Sequence, residues 1–198
     1  MIKLISSKAA YFLCKEDNEE TLELYEYAIY IVLSAIFHTT TVILLGLFFN
    51  QLVESIAFYC SFIVIRKFAG GYHAKTPIRC YLFSIISSII MLLIIKMFNS
   101  VNVIFTHILI IFELLCVLIV LLTSPLDTEN NPLNRNEKKL YKILSASNSL
   151  CISIVSILCV LTGYRNIGCS ITCGVIMSTL VLLMRKIQII YNKSIRCE

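Results

Sequence analysis

A chain of 198 residues that is 58% hydrophobic and only 15% charged departs from soluble domains, which run at roughly 45–50% and about 25%. One aqueous core does not need so much apolar matter, so lipid is the expected solvent and the fold class is an all-α, multi-pass membrane protein. The net charge of +5 sits in short clusters between apolar segments, the pattern of loops beside membrane spans, so no nucleic-acid partner is expected.

Residues 1–24 predict an interfacial amphipathic helix: Ile2, Ile5, Ala9, Phe12 and Leu13 follow helical spacing, while Lys3, Lys8 and Lys15 suit lipid headgroups. The same lysines leave too short an apolar core for a cleavable signal peptide. Glu16, Asp17, Glu19, Glu20 and Glu23 then keep this part in water. Six apolar segments follow, at 27–45, 47–65, 81–98, 103–123, 147–163 and 168–184, each near the ~20 residues that cross a ~30 Å hydrocarbon layer. Between the first two, Gly46 is the obvious breaker, and Asn50 with Gln51 is an alternative polar turn. The expected organisation is a single membrane-embedded domain over 1–198, with a bundle at 27–184, loops at 66–80 and 124–146, and a tail at 185–198.

Charge orients this bundle. With six crossings, all of the 17 Lys and Arg except Lys96 and Arg165 fall on one side. The positive-inside rule then predicts both termini and the 66–80 loop in the cytoplasm. If the second segment were re-entrant, the Arg66–Arg79 loop would change sides and the asymmetry would collapse.

Of nine cysteines, Cys60, Cys116, Cys151, Cys159, Cys169 and Cys173 lie inside apolar segments and read as small packing residues. Cys169 and Cys173 share a helix face but have no nearby His, a poor zinc set. His38 and His107 suit packing or an interhelical hydrogen bond. Asp127, Glu129 and Asn131 alternate like oxygen ligands but lack the rest of a calcium loop. No metal or other cofactor is expected. Glu54 and Glu113 are intramembrane carboxylates, which carry a functional expectation by default.

The chemistry-bearing stretch is Arg66-Lys-Phe-Ala-Gly-Gly-Tyr-His-Ala-Lys-Thr-Pro-Ile-Arg-Cys80. Thr76-Pro77 reads as an N-cap followed by a first helical residue. Cys80 then falls in the first helical turn, where the helix dipole favours a thiolate, with Arg79 and Lys75 adding positive charge. In one unbroken helix His73 would lie about 10 Å from Cys80 along the axis, too far for direct proton transfer. A fold-back at Gly70-Gly71 is therefore required for His73 to serve as base. Either Glu54 or Glu113 is a candidate to orient His73.

Arg66-Lys67-x-x-Gly70-Gly71-x-His73, followed by Cys80, resembles the signature of the accessory gene regulator protein B (AgrB) family. Ser124-Pro125-Leu126-Asp127-x-x-x-Asn131-Pro132-Leu133, with Lys138-Lys139 after it, is similar to that family's second stretch, although Asn130 stands where a lysine is often found. The resemblance covers nearly the whole chain. It implies a thiol endopeptidase of the bacterial cytoplasmic membrane that removes the C-terminal tail of a short quorum-sensing propeptide. Cys80 would be the nucleophile, His73 the base, and the retained part would close to a thiolactone or lactone. Arg66 and Lys67 are expected to grip an acidic tail, and Gly70 and Gly71 to shape the loop. The implied partners are that propeptide, with an amphipathic leader, and membrane lipids. Small residues in the last two spans suit helix contacts within one chain or in a homodimer.

Three rival classes stay open. A peptide or ion transporter without proteolysis would depend on Glu54 and Glu113, not Cys80. A sensor or assembly protein would depend on net loop charge. Thioester-based lipid transfer lacks the Asp-His-His-Cys run it needs.

Overall fold

A computed structural model describes residues 2–13, 19–72, 77–99, 103–126 and 134–195. Among these the chain is helical, as α1 (Ile2–Leu13), α2 (Glu19–Phe48), α3 (Leu52–Ala69), α4 (Pro77–Asn99), α5 (Val103–Thr123), α6 (Arg135–Leu161) and α7 (Arg165–Ile195). The expected all-α membrane class holds: α2, α4, α5, α6 and α7 are each long and apolar enough to cross a bilayer. The remaining apolar segment, the second in chain order, is α3, a helix of only 18 residues that carries Glu54, Arg66 and Lys67.

The chain divides into two compact units, Met1–Leu44 and Leu45–Glu198. The first holds α1 and most of α2. α2 begins at Glu19 rather than at the apolar segment starting at 27, so part of the acidic run is helical. Thr39, Thr40 and Thr41 lie consecutively in this helix because each hydroxyl donates to the carbonyl four residues back, at 2.9, 2.9 and 2.8 Å. That bond satisfies the hydroxyl on its own helix.

In the second unit the α2–α3 turn falls at the later of the two candidate positions. Gln51 N–H donates to Gly46 O at 2.7 Å, and Asn50 takes a positive φ of 56°, a conformation asparagine tolerates better than most residues. Gly46 stays inside α2, where a Cβ would run into Ser55 of α3. The second segment is not shortened by this, because α3 runs past residue 65 to Ala69 and ends on its own cations.

α7 is the central helix, buried almost continuously from Gly168 to Leu182. Two apolar clusters meet on it. Phe58, Leu92, Ile95 and Val181 join α3, α4 and α7. Ile65, Val117, Val120 and Leu182 join α3, α5 and α7. Lipid supplies little hydrophobic drive between helices, so backbones must approach closely for van der Waals contact. Gly174 permits this: a Cβ there would overlap Ser61 and stand 2.6 Å from Phe58 O.

The helix ends also sort by charge. Leu126, just past α5, donates its N–H to Ala69 O at the end of α3 (3.1 Å), and Val181 O of α7 accepts from Tyr72 N–H (3.1 Å). Phe68 meets Tyr141 in the early turns of α6, with ring centroids 5.9 Å apart. Arg66, Lys67, the basic start of α6 and Arg185 therefore share one end of this unit. Arg165 marks the other end, where its Nε donates to Thr106 Oγ1 near the start of α5 at 2.6 Å.

Candidate functional site

The α3 terminus is built by its own sequence. Ile65 and Ala69 are buried, while Arg66 and Lys67 occupy the last turn, where cations complement the negative end of the helix. Gly70 N–H closes the helix on Arg66 O at 3.1 Å, and Gly70 turns the chain at φ 82°, a conformation costly to residues with a Cβ. There is also no room for one, since it would lie 2.7 Å from Leu126 O.

The turn that follows is fixed at three points. Ala69 O accepts from Leu126 N–H and Tyr72 N–H donates to Val181 O, each at 3.1 Å. The third point is Arg66, whose Nη2 donates to Tyr72 O at 3.1 Å, with its guanidinium carbon 5.5 Å from the Phe62 ring centroid. The structure thus brings Arg66, Gly70 and Gly71 together with two segments that spacing alone did not connect to them. Lys67 is separate: it is exposed, and its Nζ lies 5.5 Å from the Phe68 ring centroid.

Pro77 opens α4, and Cys80 stands in its first turn as a half-buried free thiol. The expected helix start at Thr76-Pro77 is met at Pro77, and Arg79 is exposed beside the thiol. His73, Lys75 and Thr76 lie outside the described residues, as do Asp127, Glu129 and Asn131.

Neither carboxylate proposed to orient His73 lies near the Arg66–Tyr72 turn. Glu54 is in the first turn of α3, about 18 Å along the helix axis from Arg66 at 1.5 Å per residue. Glu113 is fully buried and about 13 Å below Val181, measured along α7 from its partner Thr172. Ser153 donates to its Oε1 at 2.9 Å, and Ser156 and Thr172 donate to Oε2 at 3.0 and 2.8 Å. This carboxylate joins α5, α6 and α7.

Cys116, Cys169 and Cys173 are buried as expected for packing residues, but Cys60 and Cys151 are exposed. They lie on outer helix faces, where a small apolar thiol meets lipid at no cost. His107, expected to pack or to make an interhelical hydrogen bond, is likewise exposed on α5. Among the described residues no three His, Cys, Asp or Glu side chains gather as a metal site.

A second polar feature escaped the sequence reading. Ser124 Oγ and Ser145 Oγ are hydrogen-bonded at 2.7 Å, tying the segment that braces Gly70 to α6. That helix starts at Arg135, inside the stretch expected to be a loop, and Asn134 N–H donates to Glu137 Oε2 at 2.8 Å. Asn134-x-x-Glu137 is half of a capping box, a signal readable from spacing.

A model of the family described as accessory gene regulator B matches residues 6–182. An AgrB-like protein of Clostridium perfringens (strain SM101 / Type A) is 31% identical over 188 residues, covering 90% of this chain and 84% of the relative. A second AgrB-like protein, from C. perfringens (strain 13 / Type A), is 33% identical over 69% of this chain and 64% of its own. Protein FsrB of Enterococcus faecalis (strain ATCC 47077 / OG1RF) is 28% identical over 85% of this chain and 67% of its own. No solved structure matches the chain. With the family match running through both basic stretches and all seven helices, this chain belongs to the accessory gene regulator B family and has a role in the accessory gene regulator quorum-sensing system.

Proposed function

We propose that this protein is a membrane cysteine endopeptidase that cleaves the C-terminal tail from a short signal propeptide and promotes cyclisation of the remainder. The observation that carries this reading is Cys80, a free and half-buried thiol in the first turn of α4, within the stretch that the family match covers.

In the proposed reaction His73 takes the Cys80 thiol proton, and the thiolate attacks a propeptide carbonyl. The peptide C–N bond breaks, the tail leaves as an amine carrying the proton returned by imidazolium, and an acyl-enzyme thioester remains. A Cys or Ser of the propeptide then attacks that thioester, closing a thiolactone or lactone ring and regenerating the Cys80 thiol. Exchange between thioesters is nearly balanced, so water must be excluded while the ring forms. A site at the membrane surface of the bacterial cytoplasmic membrane, on its cytoplasmic side, suits that need. The substrate in this reading has an amphipathic leader that lies on the bilayer beside the enzyme, and an acidic tail.

The test is mass spectrometry of a propeptide co-expressed in membranes with wild type, Cys80→Ala or His73→Ala. Wild type should yield the truncated fragment or its acyl-enzyme. Cys80→Ala should yield neither, and His73→Ala should lose about 10²–10⁴-fold, the usual worth of a general base. Cleavage that survives Cys80→Ala would remove the mechanism.

A further inference from the structure

Arg66 was expected from sequence to grip the substrate's acidic tail, but the geometry gives its guanidinium another task. We propose that Arg66 is a positioning residue: it fixes the Ala69–Tyr72 turn at the end of α3, from which the chain runs on to the Cys80-bearing helix. This inference rests on the reading of Cys80 and His73 as the reacting pair.

A guanidinium recognises a carboxylate through two parallel N–H groups along one edge. The Nε–Nη2 edge of Arg66 faces the turn instead. Nη2 donates to Tyr72 O at 3.1 Å, and a Cβ placed on Gly71 would stand only 3.7 Å from Nε. The guanidinium carbon lies over the Phe62 ring one turn earlier on α3, an arrangement a lysine ammonium reproduces poorly.

The remainder of the turn explains why a strut is needed there. Gly70, at φ 82°, has little conformational restraint of its own. Ala69 and Tyr72 are anchored through single backbone hydrogen bonds to Leu126 and Val181. Without Arg66 the Tyr72 carbonyl loses a side-chain donor that holds it to α3. The chain leaving Tyr72 toward Pro77 then starts from a less defined position. Reacting groups tolerate little such freedom, since a displacement of about 1 Å can cost about 10²-fold in rate.

The experiment uses full-length protein in lipid nanodiscs, comparing wild type, Arg66→Gln and Arg66→Lys. It measures cleavage kinetics and the alkylation rate of Cys80 by iodoacetamide without propeptide, read from the mass of the Cys80 peptide. Positioning predicts that both variants lose about 10–10²-fold in kcat with KM little changed. Cys80 alkylation should slow in both, and lysine should not rescue. Replacing the propeptide's tail carboxylates by amides should reduce kcat/KM by the same factor in wild type and in Arg66→Gln.

A tail-binding role gives the opposite pattern: raised KM, rescue by lysine, wild-type alkylation, and an Arg66→Gln enzyme indifferent to tail charge. Any of these overturns the inference while leaving the Cys80 mechanism standing. Cleavage by Cys80→Ala sinks the parent reading instead. Should Arg66→Gln fail to fold, Arg66→Lys carries the same test, because it keeps charge and most of the stem over Phe62 while losing the planar fork.

Discussion

Glu113 shows how far a single residue's meaning depends on its partners. From sequence it was a carboxylate in an apolar segment, equally fit for an ion path or for orienting a catalytic histidine. In the folded chain its two oxygens lie within hydrogen-bond reach of the Ser153, Ser156 and Thr172 hydroxyls, and the Ser156 and Thr172 oxygens stand 2.8 Å apart, so these two hydroxyls share their protons between each other and the carboxylate. Each of those partners is at least 40 positions from Glu113, so no local pattern could reveal them. Cys80 is the converse case, because a Thr-Pro punctuation just ahead of it fixes the helix start from neighbouring residues alone. If Glu113 is a packing tie, Glu113→Ala should destabilise by about 1–3 kcal/mol by leaving hydroxyls in a dry interior without their acceptor. Glu113→Gln should cost less, since the amide keeps one acceptor oxygen. Denaturation in mixed micelles gives the stabilities, and cleavage per folded molecule should stay within about twofold of wild type, well below the loss expected of a general base. A stable Glu113→Gln protein that no longer cleaves would instead show that the carboxylate serves the reaction and not only the packing.

At the scale of elements, helices were legible where apolar length and punctuation agreed, and their ends less so. α6 was placed twelve residues late because its first turns are polar and face away from the core. Its Asn134 and Glu137 carried the start signal that hydropathy ignores. The α2–α3 turn was ambiguous because Gly46 looks like a breaker, yet its role is to let Ser55 approach. The docking of the α3–α4 turn was not legible at all: it depends on backbone groups of Leu126 and Val181, which any residue would supply. That docking makes a specific prediction. A Cβ on Gly71 would meet Val181 Cγ1 at 2.8 Å, so Gly71→Ala should push the turn off α7 and lower kcat by about tenfold or more. Val181→Ala removes the obstructing carbon, and the double variant Gly71→Ala/Val181→Ala should recover most of that loss despite its own small core cavity. The kinetics of the four proteins form a cycle, and an additive result would mean that Gly71 acts otherwise than by closeness to Val181.

For the whole molecule the open matter is direction. The second unit gathers the cations of α3, α6 and α7 at one end and leaves Arg165 at the other. This arrangement follows from contacts between helix ends rather than from counting loops. It also bears on α3, the least apolar of the six segments. Ala69 bonds to Leu126 and Phe68 touches Tyr141, so the end of α3 sits with the end of α5 and the start of α6. With α4 and α5 both crossing, Lys67 and Lys139 fall on one face, as those contacts require. A cluster of exposed Lys and Arg strongly prefers the cytoplasmic leaflet, so the basic end should face the cytoplasm. In a background with native cysteines replaced by serine, Lys67→Cys and Lys139→Cys should react with a membrane-impermeant maleimide only after cells are opened. Tyr164→Cys, in the exposed turn between α6 and α7, should react in intact cells. Labelling of positions 67 and 139 from opposite sides would break the helix-end packing. Labelling of both from outside would keep the packing and reverse the bundle, and a propeptide made in the cytoplasm would then have to cross the membrane before meeting Cys80.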